Sequence, residues 1–277
     1  MVGANRRTES LRRLCLALWL LVASSVTTPA VAAGKTVDFA FDRARYVLAW
    51  QAQGGRAYVP EAVSDVAVPL VIFLHGTNTA GVLHPWMSER NNDLRPLLDQ
   101  LIEQGSVTPA VLAAPSQTRR ASIRYLWDDF DYGAFAQKTQ AALGDSARID
   151  TGRIVLVGHS GAGCNPDGGL LRAASARQEP PLFGLVAIDV CMKASYGLAL
   201  GKSRARSVSV FWQMESWKRD YGDFHDAFLK SRANFAAERD SFEEVGVVGR
   251  DAHNQIVPRA FALALTQLLA PKPADNS

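Results

Sequence analysis

Residues 153–163 read RIVLVGHSGAG, an apolar run of strand type that breaks at Gly158 into a serine flanked by small residues. Ile154, Val155, Leu156 and Val157 suit a strand buried on both faces of a parallel sheet. The small residues after them let the chain turn sharply into a helix and leave Ser160 exposed at the tip. Such a turn presents a hydroxyl, although a serine that merely caps the next helix gives the same short pattern. The order of the other elements decides between the two.

The apolar runs predict strands at 56–59, 66–74, 107–114, 154–157, 182–188, 207–212 and 242–248. Helical spacing predicts helices at 135–143, 162–174, 224–237 and 256–269, the second interrupted early by Pro166. Strands alternating with helices mean an α/β fold with a mostly parallel central sheet flanked by helices on both faces. No repeat or long linker divides the chain, and the segment between Cys191 and Arg206 is too short for a large cap domain.

The N-terminus carries Arg6, Arg7, Arg12 and Arg13, then an apolar stretch, then Ala30-Val31-Ala32. Residues 1–32 therefore read as a signal peptide and 33–277 as the mature domain, secreted or periplasmic. The apolar stretch is shorter than the roughly 20 residues of a spanning helix, so no stable membrane anchor is expected after cleavage. The full chain has a formal net charge of +3, and losing four arginines and Glu9 brings the mature part to zero. That neutrality excludes the electrostatic footprint of a nucleic-acid partner. Cleavage also removes Cys15 and leaves Cys164 and Cys191, either a disulfide or two buried thiols. With no CxxC pair and scattered histidines, no metal or cofactor is expected.

In parallel sheets, ligands lie beyond the carboxyl ends of the strands. His75, Ser160, Asp189 and Glu215 each follow a predicted strand, and His253 comes after the last one, in a predicted loop. A serine hydroxyl needs a base, an acid to orient the base, and donors for an oxyanion. His253 is the candidate base; His159 and His75 read as structural neighbours, and His84 and His225 as surface or core residues. For the acid, Glu215 is favoured over Asp189. The oxyanion donors are the backbone N–H groups of Gly161 and Thr77, with Gly76 letting the chain pass close to a substrate carbonyl. Tyr125, Trp127 and Phe130, like Trp212, Met214 and Trp217, either line a pocket or pack onto the core.

Taken together, Arg56-x-Tyr58-Val59-Pro60, Pro69 to Gly76, Gly158-His159-Ser160-Gly161-Ala162 and His253 resemble the α/β-hydrolase superfamily. Within it the chain is similar to secreted esterases of the feruloyl esterase and polyhydroxyalkanoate depolymerase type. The resemblance implies Ser160 as nucleophile, His253 as base, and Gly161 with Thr77 as oxyanion donors. It implies a carboxylesterase-like enzyme acting through an acyl-enzyme on a small-molecule or polymeric ester. A peptidase or amidase with the same residues, or a non-catalytic binding protein on the same fold, are the alternatives. Ala162 departs from the G-x-S-x-G pattern; as the smallest replacement it should still allow helix and strand to pack closely.

Overall fold

The structure, a computed structural model, describes residues 32–51, 53–88, 92–119, 121–177, 181–216, 221–235 and 240–271. Residues 1–31 of the expected signal peptide, with Cys15, lie outside the described residues, as do Trp217 and the last two residues of the predicted helix 224–237.

The seven predicted strands and one that was not expected, Lys35–Phe39, form one eight-stranded sheet. Its strands are β1 (Lys35–Phe39), β2 (Gly55–Val59), β3 (Ala67–Leu74), β4 (Val111–Pro115), β5 (Arg148–His159), β6 (Gly184–Ile188), β7 (Ser207–Trp212) and β8 (Ser241–Glu244). Their order is β1-β2-β4-β3-β5-β6-β7-β8. β1 and β2 pair antiparallel with their neighbours, and every pairing from β4 through β8 is parallel. The helices are α1 (Arg43–Tyr46), α2 (Arg95–Glu103), α3 (Tyr132–Leu143), α4 (Gly169–Ser175), α5 (Ala194–Gly201), α6 (Gly222–Arg232) and α7 (Ala252–Leu269).

Alternation along β3 shows why both faces must be covered. Leu70 and Ile72 join a core completed by Phe135 of α3, Leu171 of α4 and Phe228 of α6. Val71 and Phe73 point the other way, into a core with Leu98 of α2 and Phe261 of α7. Each such buried side chain contributes about 1.5–3 kcal/mol relative to exposure. Among the described residues no helix is long and apolar enough to cross a membrane.

Several boundaries differ from expectation for physical reasons. β4 begins at Val111 rather than 107, because the Val107 and Thr108 amides donate to Leu101 and Leu269 carbonyls outside the sheet. β8 stops at Glu244 because its neighbour β7 ends at Trp212. The predicted helix 162–174 is two pieces, a 3-10 turn over Ser160–Gly163 and then α4. Pro166 lacks an N–H, the Asn165 side chain donates to the Leu126 carbonyl, and Cys164 is bonded to Cys191. α7 starts at Ala252 rather than 256, so His253 stands in the first turn of a helix and not in a loop. β1, α1, α2 and α5 were not expected. In α5 the glycines at 197 and 201 mask the helical pattern; they share one face, and a Cβ on either would run into the carbonyls of Phe224 and Phe228 in α6.

Candidate active site

Strand register assembles the site before any side chain is considered. Leu74 stands beside Gly158, His159 beside Ile188, and Ile188 beside Phe211. One step further along, the chains leaving β3, β5 and β6 bring Gly76, Ser160 and Asp189 to the same edge of the sheet.

Ser160 has φ of 54°, a left-handed conformation that costs a non-glycine residue about 1–3 kcal/mol and turns its side chain out of the strand line. The neighbours make room for that turn. A Cβ on Gly76 would lie 2.6 Å from the Ser160 Cβ, one on Gly158 would meet Leu170 at 2.6 Å, and one on Gly163 would meet Val190 at 2.6 Å. Ala162 is fully buried, and close approach here falls to Gly163 and to Gly169, where an added Cβ would collide with the Ala162 carbonyl. The departure at position 162 is accommodated by glycines on either side of it.

The Ser160 Oγ lies 2.8 Å from His253 Nε2, and His253 Nδ1 lies 2.5 Å from Asp189 Oδ2. A carboxylate only accepts, so Nδ1 carries the proton and Nε2 is free to accept from the serine hydroxyl. Asp189 is 3% exposed, and its own amide donates to the Phe211 carbonyl. Glu215, the favoured acid, is instead exposed on the turn after β7 and makes no bond to His253 among the described residues. The reason is register: Asp189 ends the strand next to that of Ser160, whereas Glu215 lies one strand further out and past the strand end.

Gln213 was not singled out in the sequence. Its Nε2 donates to Asp189 Oδ2 at 2.8 Å and its Oε1 accepts from the Ser216 amide, so it holds the carboxylate from the β7 side. Its signal was its place, the first polar side chain after β7. His159 packs its ring 4.5 Å from that of His253 and donates from Nε2 to the His253 carbonyl. Burial, and then the nearby His253, push the His159 pKa down to about 3, which keeps it neutral.

The Thr77 amide nitrogen lies 3.5 Å from where a Cβ would stand on Gly161, so the two candidate oxyanion residues are neighbours beside Ser160. The loop carrying Thr77 is braced from below. His75 donates from Nδ1 to the Gly76 carbonyl, accepts the Gln117 amide on Nε2, and is held neutral by burial, which lowers its pKa to about 4. Trp127 donates its indole N–H to the His75 carbonyl and is fully buried, so this aromatic serves the loop and the core. Phe130 is also buried, whereas Tyr125 is exposed. His84 is buried and bonded to Ser116, and His225 is half-buried among Tyr221 and Phe242. Trp212 stacks on Tyr221, and Met214 is exposed. Cys164 and Cys191 form a disulfide that ties the turn after Ser160 to the chain just past Asp189. Among the described residues no three His, Cys, Asp or Glu side chains gather as a metal site.

No family model matches this sequence, and no curated protein matches it. Solved structures do match in fold. A ferulic acid esterase aligns over 85% of this chain and 98% of its own, with a TM-score of 0.56 and 16% identity. An S-formylglutathione hydrolase from Agrobacterium tumefaciens aligns over 88% of this chain and 99% of its own, with a TM-score of 0.55 and 12% identity. A mutant of the feruloyl esterase module from Clostridium thermocellum, complexed with sinapinate, aligns over 90% and 94%, with a TM-score of 0.56 and 12% identity. The eight-stranded, mostly parallel sheet with helices on both faces, shared over nearly the whole of these proteins, identifies the chain as having the α/β-hydrolase fold.

Proposed function

We propose that this protein is an exported serine hydrolase that cleaves carboxylic esters through an acyl-enzyme on Ser160. The observation that carries the reading is the bonded series from the Ser160 hydroxyl through His253 to the buried Asp189. In this mechanism Oγ attacks the ester carbonyl while its proton passes to His253 Nε2. Asp189 stays ionised, orients the ring and balances the imidazolium. The Thr77 and Gly161 amides receive the developing oxyanion, a contribution of about 3–4 kcal/mol per donor in comparable sites. Collapse breaks the ester C–O bond, and the alcohol leaves with the proton from His253. A water molecule, deprotonated by the same nitrogen, then attacks the acyl carbonyl and returns Ser160 with release of the acid.

The esterase names of the fold neighbours support the ester as the bond cleaved, and the substrate is a small-molecule or polymeric ester. Export is supported by the arginine-rich apolar N-terminus with its A-x-A site, and by a disulfide, which persists in oxidising compartments. Ser160→Ala is expected to lower turnover of 4-nitrophenyl butyrate at least a thousandfold with an unchanged circular dichroism spectrum. Turnover retained in the folded variant overturns the proposal. N-terminal sequencing of the exported protein is expected to begin at Ala33.

A further inference from the structure

A cleft of about 390 Å³ opens beside the oxyanion loop, lined by Thr77, Gln117, Arg119, Ser122 and Leu126 among others, none of them acidic. Its position ties it to the site. Thr77 contributes a candidate oxyanion amide, and Leu126 is the side chain that a Cβ on Gly161 would meet, at 2.7 Å. Two side chains in this lining, Gln117 and Arg119, carry NH2 groups with no bond among the described residues.

Gln117 is 4% exposed, and its Oε1 is taken by the Trp127 amide, which leaves its NH2 unbonded among the described residues. That NH2 is open to the cleft, so a ligand acceptor takes the place of water on it. Arg119 is anchored through its backbone amide to the Tyr46 carbonyl and through Nε to the Val47 carbonyl, and no carboxylate pairs with it among the described residues. Anchoring Nε fixes the guanidinium plane and leaves its two NH2 groups to form the fork that suits a carboxylate. Leu126 and Ala121 supply apolar surface for a short spacer.

The geometry points to an ester that carries a carboxylate, held by Arg119 and Gln117 a few atoms from the scissile carbonyl. This rests on the esterase reading above. Arg119 is exposed, so its share is screened, and the expected preference over a matched neutral ester is about fivefold or more.

The test compares kcat/KM for mono-4-nitrophenyl adipate with 4-nitrophenyl hexanoate, which places the carboxylate on the acyl side. A second arm compares 4-carboxyphenyl hexanoate with its neutral 4-carbamoyl analogue, which places it on the alcohol side. Preference in either arm supports the inference and says which side occupies the cleft. Arg119→Ala is expected to collapse that preference toward one, Arg119→Lys to keep part of it, and 0.5 M NaCl to shrink it in the wild type. Equal rates in both arms, or a preference that survives Arg119→Ala, overturn the carboxylate without touching the esterase reading. Equilibrium binding of monomethyl adipate and of its neutral amide analogue to Ser160→Ala gives the same comparison independently of turnover. Equal binding there overturns the inference even if no ester is hydrolysed.

Discussion

Asp189 and Glu215 differ in two ways that chemistry can read: burial and reach to His253. Asp189→Asn is expected to lower kcat by roughly three to four orders of magnitude, because a neutral amide can hold the ring in the wrong tautomer. Glu215→Gln is expected to leave kcat/KM within about twofold of wild type, since the side chain is exposed and away from the ring. Comparable losses in both variants would argue against the arrangement seen here. Gln213→Leu removes one charge-assisted hydrogen bond from Asp189, an interaction of about 1.5–3 kcal/mol. The expected result is a ten- to hundredfold loss in kcat with little change in KM, which separates positioning of the acid from loss of substrate binding. The buried histidines set a different observable. His75 titrates near 4 and His159 near 3 in the folded protein, against about 6.5 unfolded, so below pH 6.5 the unfolded chain binds more protons. Their contribution to stability is whole above pH 6.5 and is lost as pH falls towards 4. At pH 5 that loss is on the order of 2 kcal/mol per histidine. Urea midpoints at pH 7.5, 6.0 and 5.0 check it, and a constant midpoint across that window contradicts it, because free carboxylates titrate lower.

Two segments converge on the site at the scale of elements: the turn that ends β5 and the chain that leaves β6. The Cys164–Cys191 disulfide joins them four residues after the nucleophile and two after the acid, with a sequence separation of 27. Closing a loop of that length stabilises the fold by about 3–4 kcal/mol in the chain-entropy model. Replacing both cysteines by alanine is therefore expected to lower the thermal midpoint by several degrees and to reduce kcat, as the turn and the Asp189 segment lose their common tether. An unchanged kcat in the folded double variant would limit the bond to stability. Tyr196, whose hydroxyl donates to the Cys164 carbonyl, brings α5 to the same junction. The oxyanion loop has its own element-level constraint at Gly76. Gly76→Ala is expected to cut kcat/KM by at least tenfold, because the added methyl would press on Ser160 at 2.6 Å.

At the scale of the whole molecule, the parallel sheet was readable because its strands are continuous apolar runs, as double-faced burial requires. β3, β6 and β7 fall close to where the runs lie, and β5 contains its run but begins six residues earlier, at Arg148. Elements held by partners rather than by their own pattern were not readable. β1 is an edge strand of mixed polarity, and α5 carries glycines that only its contact with α6 explains. The candidate nucleophile, base and oxyanion amides stood out through local signals: a strand broken by small residues, a histidine after the last strand, and a glycine after a histidine at a strand end. The pairing of His253 with Asp189 rather than Glu215, the support from Gln213 and the brace of Trp127 under the oxyanion loop join residues from 24 to 64 positions apart. Local composition is silent about such pairs. The sequence by itself determined which chemistry-bearing residues end which strands, because backbone periodicity and burial are written locally. Only the tertiary structure decided which of them meet, because strand order and register, which place β6 and not β7 beside β5, are properties of the assembled sheet.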